Sequence, residues 1–110
     1  MKVHLIKQQT ILDFITIHAS GRKSFGNWLM ALKFADWKTP EDIAHTFKTA
    51  DLLGNSCERV VFNIGGNHYR MICKYHFGLQ KVHLFICWIG KHEEYDELCR
   101  KGEQYHINNY

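Results

Sequence analysis

Arg70, His92 and Tyr95 are the residues whose types and spacing best suit acid-base and phosphate chemistry. A guanidinium such as that of Arg70 holds two phosphate oxygens at once and stabilises charge that builds up during a reaction. An imidazole titrates near neutrality, so His92 is a candidate base or acid. Tyr95 follows three residues later, which places both side chains on one face of a helical turn. A phenol there orients a nucleobase or stacks on it. The structural alternatives are a surface ion pair of Arg70 with Glu93 or Glu94, a helix cap for His92 and a buried ring for Tyr95.

Residues 68–77 alternate between polar and apolar side chains, as expected of a half-buried strand. The polar face carries Ile72 as its one exception, and otherwise consists of His68, Arg70, Lys74 and His76. Lys74 lies four positions from Arg70, roughly 13 Å along a strand. It is therefore expected to contact a neighbouring phosphate.

Acidic residues are absent between Arg59 and Lys91, a stretch that holds five lysines and arginines and three histidines. The acids gather instead in residues 41–42 and 93–97. The central strands should therefore form a positive surface that favours an anionic partner such as RNA phosphate, or one that is simply solvated. Within this stretch Arg59 is expected to hold an RNA backbone, and Asn63 to contact RNA or satisfy a hairpin. Lys91 is expected to supply a cation beside the candidate histidine or to be an ordinary solvated lysine.

Neither a metal site nor a disulfide framework is predicted. His68, His76 and His83 lack acidic or cysteine ligands at zinc-like spacing. The four cysteines, at positions 57, 73, 87 and 99, lack C-x-x-C pairing, so reduced thiols are expected. Cys73 falls on the apolar strand face, where a thiol acts as a small hydrophobe.

Length and composition fit one domain over residues 1–110, with 45% hydrophobic residues and a formal net charge of +3. The opening MKVHLIKQQT lacks a secretory apolar region, and no apolar run is long enough to span a membrane. A cytoplasmic protein without a membrane partner is expected.

The periodicity predicts a short edge strand at Val3 and Leu5, helices over 8–19 and 23–34, and a short helix after Pro40 with Thr39 as N-cap. Residues 50–58 are predicted as a surface loop. Strands follow over 59–64, 68–77 and 81–89, joined as antiparallel hairpins by residues 65–67 and 78–80. The last strand is placed centrally because it is apolar at nearly every position. A short helix or turn over 92–100 and a polar tail that is disordered unless bound complete the chain.

Three blocks of sequence keep a recognisable order and spacing: ADWKTPEDI at 35–43, RVVFNIGGNHYR at 59–70 and IGKHEEYD at 89–96. In these blocks the chain strongly resembles the HigB-type toxins of bacterial type II toxin-antitoxin systems, within the wider RelE-like superfamily. Residues 1–34 fit the helical hairpin of the family only in outline. Two positions depart from its pattern, with Lys91 where a threonine is common and Cys87 where many members carry an arginine.

The resemblance implies a RelE-like α+β fold, with N-terminal helices packed on a small, mainly antiparallel sheet of three to four strands and a short C-terminal helix. It also implies an mRNA interferase, an endoribonuclease that enters the A site of the 70S ribosome and cuts messenger RNA by attack of the substrate's own 2′-hydroxyl. Such cleavage inhibits translation and requires no metal or other cofactor. A helix-turn-helix antitoxin of the HigA type would neutralise the protein, and operator DNA would be bound only through that complex.

The candidate site derived from the residues and the resemblance has two parts. The expected catalytic residues are Arg70, His92, Tyr95 and Lys74. The expected RNA-contacting residues are Arg59, Lys91, His68 and Asn63. The base stays open among His92, Lys74 and Lys91, and Asp96 is expected to tether Arg70 or His92.

Two alternatives to the interferase remain at this point. One is a non-catalytic RNA- or ribosome-binding protein derived from the family, because the departures at Cys87 and Lys91 touch the candidate site. The other is a structural partner protein whose apolar helices cover another chain.

Overall fold

A computed structural model describes residues 1–110. Four α-helices and five strands follow one another along the chain. They are β1 (Lys2–Ile6), α1 (Gln9–Ile17), α2 (Arg22–Lys33), α3 (Glu41–Thr46), β2 (Asp51–Leu52), β3 (Arg59–Ile64), β4 (Tyr69–Phe77), β5 (Lys81–Lys91) and α4 (His92–Arg100). None of the helices is long and apolar enough to cross a membrane.

The five strands form one mixed sheet in the order β1-β5-β4-β3-β2. β1 runs parallel to β5, with Lys2 opposite Lys81, while the other neighbours are antiparallel. The α+β class is as predicted. The prediction of three to four mainly antiparallel strands is wrong, because the sheet has five strands and is mixed. Periodicity identifies β1 as a strand without showing that its partner lies at the other end of the chain, and β2 is too short to have a period. β5 is an interior strand, although β4 occupies the centre.

Two tight turns build the β3-β4-β5 meander, as the sequence predicts. Gly65 and Gly66 adopt left-handed φ values of 68° and 66°, which glycine accepts without a steric penalty. The turn spans residues 65–68, so His68 belongs to the turn and β4 begins at Tyr69. The second turn is closed by a hydrogen bond in which the Gly78 N–H donates to the Lys81 carbonyl at 3.0 Å.

Helices α1–α3 cover one face of the sheet and form the main core with it. Amphipathic spacing in α1 and α2 directs one side of each helix to the strands. Buried contributors from the helices are Ile11, Phe25, Trp28, Leu32 and Ile43, and those from the strands include Phe62, Met71, Cys73 and Leu84. Cys73 is therefore a core residue, as predicted.

A smaller core lies on the opposite face beneath α4. It contains Val61, Ile72, Cys87, Trp88 and Leu98. Ile72 pairs with Trp88 and Cys73 with Ile86, so Cys87 is an extra residue that forms a β-bulge. The bulge explains how the adjacent residues Cys87 and Trp88 both face this core. The same core explains why the apolar Ile72 interrupts the polar pattern of β4.

Asp42 organises the start of α3 in place of the predicted Thr39 cap. Its Oδ2 accepts hydrogen bonds from the backbone N–H groups of Lys38 and Thr39 at 2.7 and 3.1 Å. These bonds hold the pKa of the Asp42 carboxyl below its usual value, with His45 adding a smaller effect. Pro40 occupies the N-cap position and not the predicted first helical position, so α3 begins one residue later than predicted.

The C-terminal tail is ordered against the sheet, which corrects the expectation of disorder. Residues 103–105 form a 3₁₀ turn, Ile107 packs on the smaller core, and the Asn109 N–H donates to the Cys87 carbonyl at 2.8 Å. Polar composition concealed these contacts, because most of them use the tail's backbone.

Candidate active site

Arg70 lies near the start of β4, on the face covered by α4, and only 8% of it is exposed. Its Nη1 donates to the carbonyls of Tyr69 and Gly66 at 3.1 and 3.5 Å, and Nη2 donates to Oδ1 of Asn67 at 3.2 Å. No carboxylate forms an ion pair with it, so the predicted alternative of a bridge to Glu93 or Glu94 is absent. The 65–68 turn thus positions a largely desolvated cation without neutralising it.

The residues that hold Arg70 were missed by sequence reasoning. Gly66 and Asn67 precede it by four and three positions, and both belong to the turn that leads into β4. A Gly-Gly-Asn turn followed by an arginine at that distance was the available signal. Asn63 faces Arg70 across the β3–β4 pair and lines a depression with Thr49, Gly66 and Asn67.

His92 begins α4 and is tied to the same turn, because its backbone N–H donates to the His68 carbonyl at 3.1 Å. Its ring Nε2 lies 3.3 Å from Oδ2 of Asp96, one helical turn later. The ring Nδ1 is buried and has no hydrogen-bond partner in the protein. Asp96 therefore orients His92, whereas Arg70 is held by the turn alone.

Tyr95 lies on the adjacent turn of α4, with its ring centroid 6.2 Å from that of Trp88. Burial, followed by the neighbouring Cys99 thiol, raises the pKa of the Tyr95 phenol well above its usual value, and the Arg70 guanidinium only partly opposes this. The phenol therefore stays protonated at neutral pH. In that state it donates a proton or a hydrogen bond and does not act as a base.

Lys91 and His68 complete this end of the sheet. Lys91 pairs with Tyr69 across the strands, and its backbone N–H donates to Oε1 of Glu94 at 2.7 Å, which closes the start of α4. The Lys91 and His68 side chains line one small depression, with Glu93 on its rim. The cation at position 91 is thus exposed beside the turn that holds Arg70.

Gly90 faces Arg70 across the β4–β5 pair, and the Trp88 ring lies over it. A Cβ at position 90 would overlap that ring. The close approach brings the indole of the smaller core next to the strand positions that carry Arg70 and His92. Sequence alone marked Gly90 only as the end of an apolar run.

Lys74 and Arg59 stand apart from this group. They pair with each other across β3 and β4 and line a different concavity. Only 7% of Arg59 is exposed, and its Nη1 donates to the backbone carbonyls of Gln104 and Ile107 at 3.2 and 2.7 Å. Of the eight predicted site residues, six thus meet at the Arg70 end and two lie further along the sheet.

Histidines also meet across three strands, where His83 lies between His4 and His76 with ring centroids 6.1 and 6.2 Å apart. No cluster of three or more histidine, cysteine or acidic side chains has a geometry that would hold a metal ion.

Comparison with known proteins agrees with the fold and with the blocks around the site. No curated protein matches the chain at a significant level. A family model described as HigB_toxin, the RelE-like toxic component of a toxin-antitoxin system, matches residues 22–98. This range includes α2, α3, β2–β5, most of α4 and all eight predicted site residues. The chain therefore belongs to the HigB toxin family of RelE-like toxins.

Proposed function

We propose that this toxin is an mRNA interferase that cleaves messenger RNA on the translating 70S ribosome in the cytoplasm. The observation that carries the proposal is the grouping at one end of the sheet: a desolvated, unneutralised Arg70 beside the His92–Asp96 pair and a protonated Tyr95. These are a phosphate-binding cation, a proton acceptor and a proton donor. Transesterification at phosphorus needs all three.

In the proposed reaction the 2′-oxygen of the RNA attacks the adjacent phosphorus. His92 accepts the 2′-hydroxyl proton at Nε2, because Nδ1 is buried, and Asp96 Oδ2 beside Nε2 stabilises the imidazolium that forms. The bond from phosphorus to the 5′-oxygen breaks, and Tyr95 donates its phenolic proton to that oxygen. The products are a 2′,3′-cyclic phosphate and a 5′-hydroxyl, so neither a metal nor a cofactor is needed.

Arg70 stabilises the negative charge that accumulates on the phosphate oxygens. Its Nε makes no hydrogen bond within the protein, so part of its donor capacity is free for the substrate. Lys91 and His68 lie on the rim where they contact the RNA backbone, and Asn63 lies opposite Arg70. Lys74 is too far along β4 to serve as the base for the same phosphate.

Membership of a toxin-antitoxin family implies an antitoxin partner. We propose that this partner is a HigA-type helix-turn-helix protein and that operator DNA is bound only through the complex. The alternative is a non-catalytic protein derived from this family that binds RNA or the ribosome without cutting.

Mapping of messenger ends in a reconstituted translation reaction tests the activity. Arg70→Ala is expected to lower the cleavage rate roughly 10²- to 10³-fold, comparable to the loss of an oxyanion-hole donor. Lys81→Ala is the matched control, because Lys81 is an exposed cation of the same sheet outside the Arg70 site. Equal cleavage by the Arg70 variant would contradict the site.

Two further outcomes decide between functions. Cuts in naked RNA would replace the ribosome-dependent reaction with a ribosome-independent nuclease. Absence of cuts by folded wild-type protein that still binds ribosomes would favour the non-catalytic alternative.

A further inference from the structure

A second concave region lies about four residues along β4 from Arg70, on the same face of the sheet and next to the C-terminal tail. It has a volume of about 560 Å³. No aspartate or glutamate lines it. We call it the basic groove, and the side chains that define it are Lys7, Arg59, Lys74, His76, Phe85 and Tyr110.

The groove combines free cations with an exposed aromatic ring. Lys74 and Phe85 are direct partners across β4 and β5, and both residues are exposed. Phe85 is 41% exposed, although its neighbours Leu84 and Ile86 are buried in the main core. Tyr110, 44% exposed, forms part of the wall. An exposed ring beside a lysine is a feature that folding of this chain does not require.

Of the two strand cations, only Lys74 is available to a ligand. Arg59 is committed to the Gln104 and Ile107 carbonyls, whereas Lys74 forms no ion pair. Lys7, at the end of β1, adds a second unpaired lysine on the rim. Two free lysines flanking one aromatic ring match the chemistry of single-stranded nucleic acid, in which phosphates alternate with flat bases.

We infer that the basic groove is a subsite for single-stranded RNA outside the reacting nucleotide, with one base stacked on Phe85 and backbone phosphates on Lys74 and Lys7. This inference rests on the proposed function. Lys74 lies four residues along β4 from Arg70, roughly 13 Å away, so the two side chains contact different phosphates. The groove thus holds a part of the message that is separate from the scissile phosphate.

Equilibrium binding of a short, unstructured, fluorescein-labelled RNA to the full chain without ribosomes tests the groove. Fluorescence anisotropy is measured over a range of salt concentrations. Phe85→Ala is expected to weaken binding roughly 5- to 150-fold, the range for loss of one base–aromatic stack, with an unchanged dependence of log K on log salt. Phe85→Trp retains a ring and is expected to bind at least as tightly as the wild type.

Lys74→Gln is expected to act differently. Loss of one phosphate contact lowers the slope of log K against log salt by about 0.7 for a single strand. Lys81→Gln, outside the groove, is the charge-matched control and should leave the slope unchanged. Thermal unfolding of each variant confirms that the chain is folded.

Three results would overturn the inference: no RNA binding by the wild type at low salt, wild-type affinity in Phe85→Ala, or equal slope changes for Lys74→Gln and Lys81→Gln. The readout is separate from cleavage. RNA binding with the expected pattern but no cut messages would leave the groove standing and contradict the proposed function. Message cleavage together with unaltered RNA binding by the groove variants would contradict the inference about the groove and leave the proposed function standing.

Discussion

At the scale of single residues, the candidate site is defined by protonation states as much as by positions. The Arg70 guanidinium lies in a nearly dry environment, and its only protein partners there are neutral oxygens. Tyr95 keeps its proton because burial penalises the phenolate. A fixed cation and a phenol that resists ionisation are suited to different moments of one reaction. In the proposed reaction the cation stabilises the charged phosphorane and the phenol protonates the leaving oxygen.

The raised pKa of Tyr95 predicts that this phenol ionises after an ordinary tyrosine on alkaline titration. Ultraviolet absorbance of the phenolate, compared between wild type and Tyr95→Phe, should show no difference near pH 10, the usual tyrosine value. Because the folded pKa lies above the unfolded one, the stabilisation is complete below about pH 10 and is lost as pH rises toward the folded value. The free energy of unfolding should therefore fall more steeply above pH 10 in the wild type than in Tyr95→Phe.

The same substitution tests the catalytic role. Loss of a general acid typically costs 10²- to 10⁴-fold in rate, so Tyr95→Phe should slow message cleavage by roughly that factor while leaving RNA binding nearly unchanged. A Tyr95→Phe protein that cuts at the wild-type rate would show that the ring is structural, as a partner of Trp88.

At the scale of elements, the bulge in β5 and the tight approach at Gly90 bring α4 to the sheet. The extra residue Cys87 turns Trp88 toward α4, and the indole then fills the space above Gly90. Since α4 begins directly after β5 and carries both His92 and Tyr95, this contact sets their distance from β4.

Gly90→Ala is expected to destabilise the fold by about 1–3 kcal/mol, because the new methyl group must displace the Trp88 ring from a packed core. Urea denaturation followed by tryptophan fluorescence measures the change. Gly54→Ala is the matched control, since a Cβ there meets no atom and its φ is not left-handed. Equal effects of the two substitutions would show that the Trp88 contact does not constrain α4.

The sequence predicts most elements correctly, and the errors have physical reasons. Alternation in residues 68–77 identifies β4 and its two faces because a half-buried strand must separate polar from apolar side chains. It cannot identify the parallel pairing of β1 with β5, which depends on a contact across nearly the whole chain. The spacing of residues along α4 predicts which side chains lie near His92. The turn that holds Arg70 uses backbone carbonyls, which every residue carries, so only the structure reveals it.

At the scale of the whole molecule, the C-terminal tail completes the face of the sheet that α4 leaves open. Arg59 donates to two of its carbonyls, Ile107 joins the smaller core, and Asn109 bonds to the bulge residue Cys87. The tail thus covers a buried arginine and a buried thiol. It also forms one wall of the basic groove.

Deletion of residues 103–110 should lower the free energy of unfolding by about 2–4 kcal/mol, from loss of the Ile107 contact and the hydrogen bonds to a charged group. It should also expose Cys87, whose thiol pKa is raised mainly by burial. Because the thiolate is the reactive form, Cys87 in the full chain should react slowly with a thiol reagent and faster after deletion. Mass spectrometry distinguishes it from Cys73, which lies in the main core and should stay unmodified in both proteins. Equal Cys87 reactivity and equal stability in the two proteins would mean that the tail does not cover the sheet in solution.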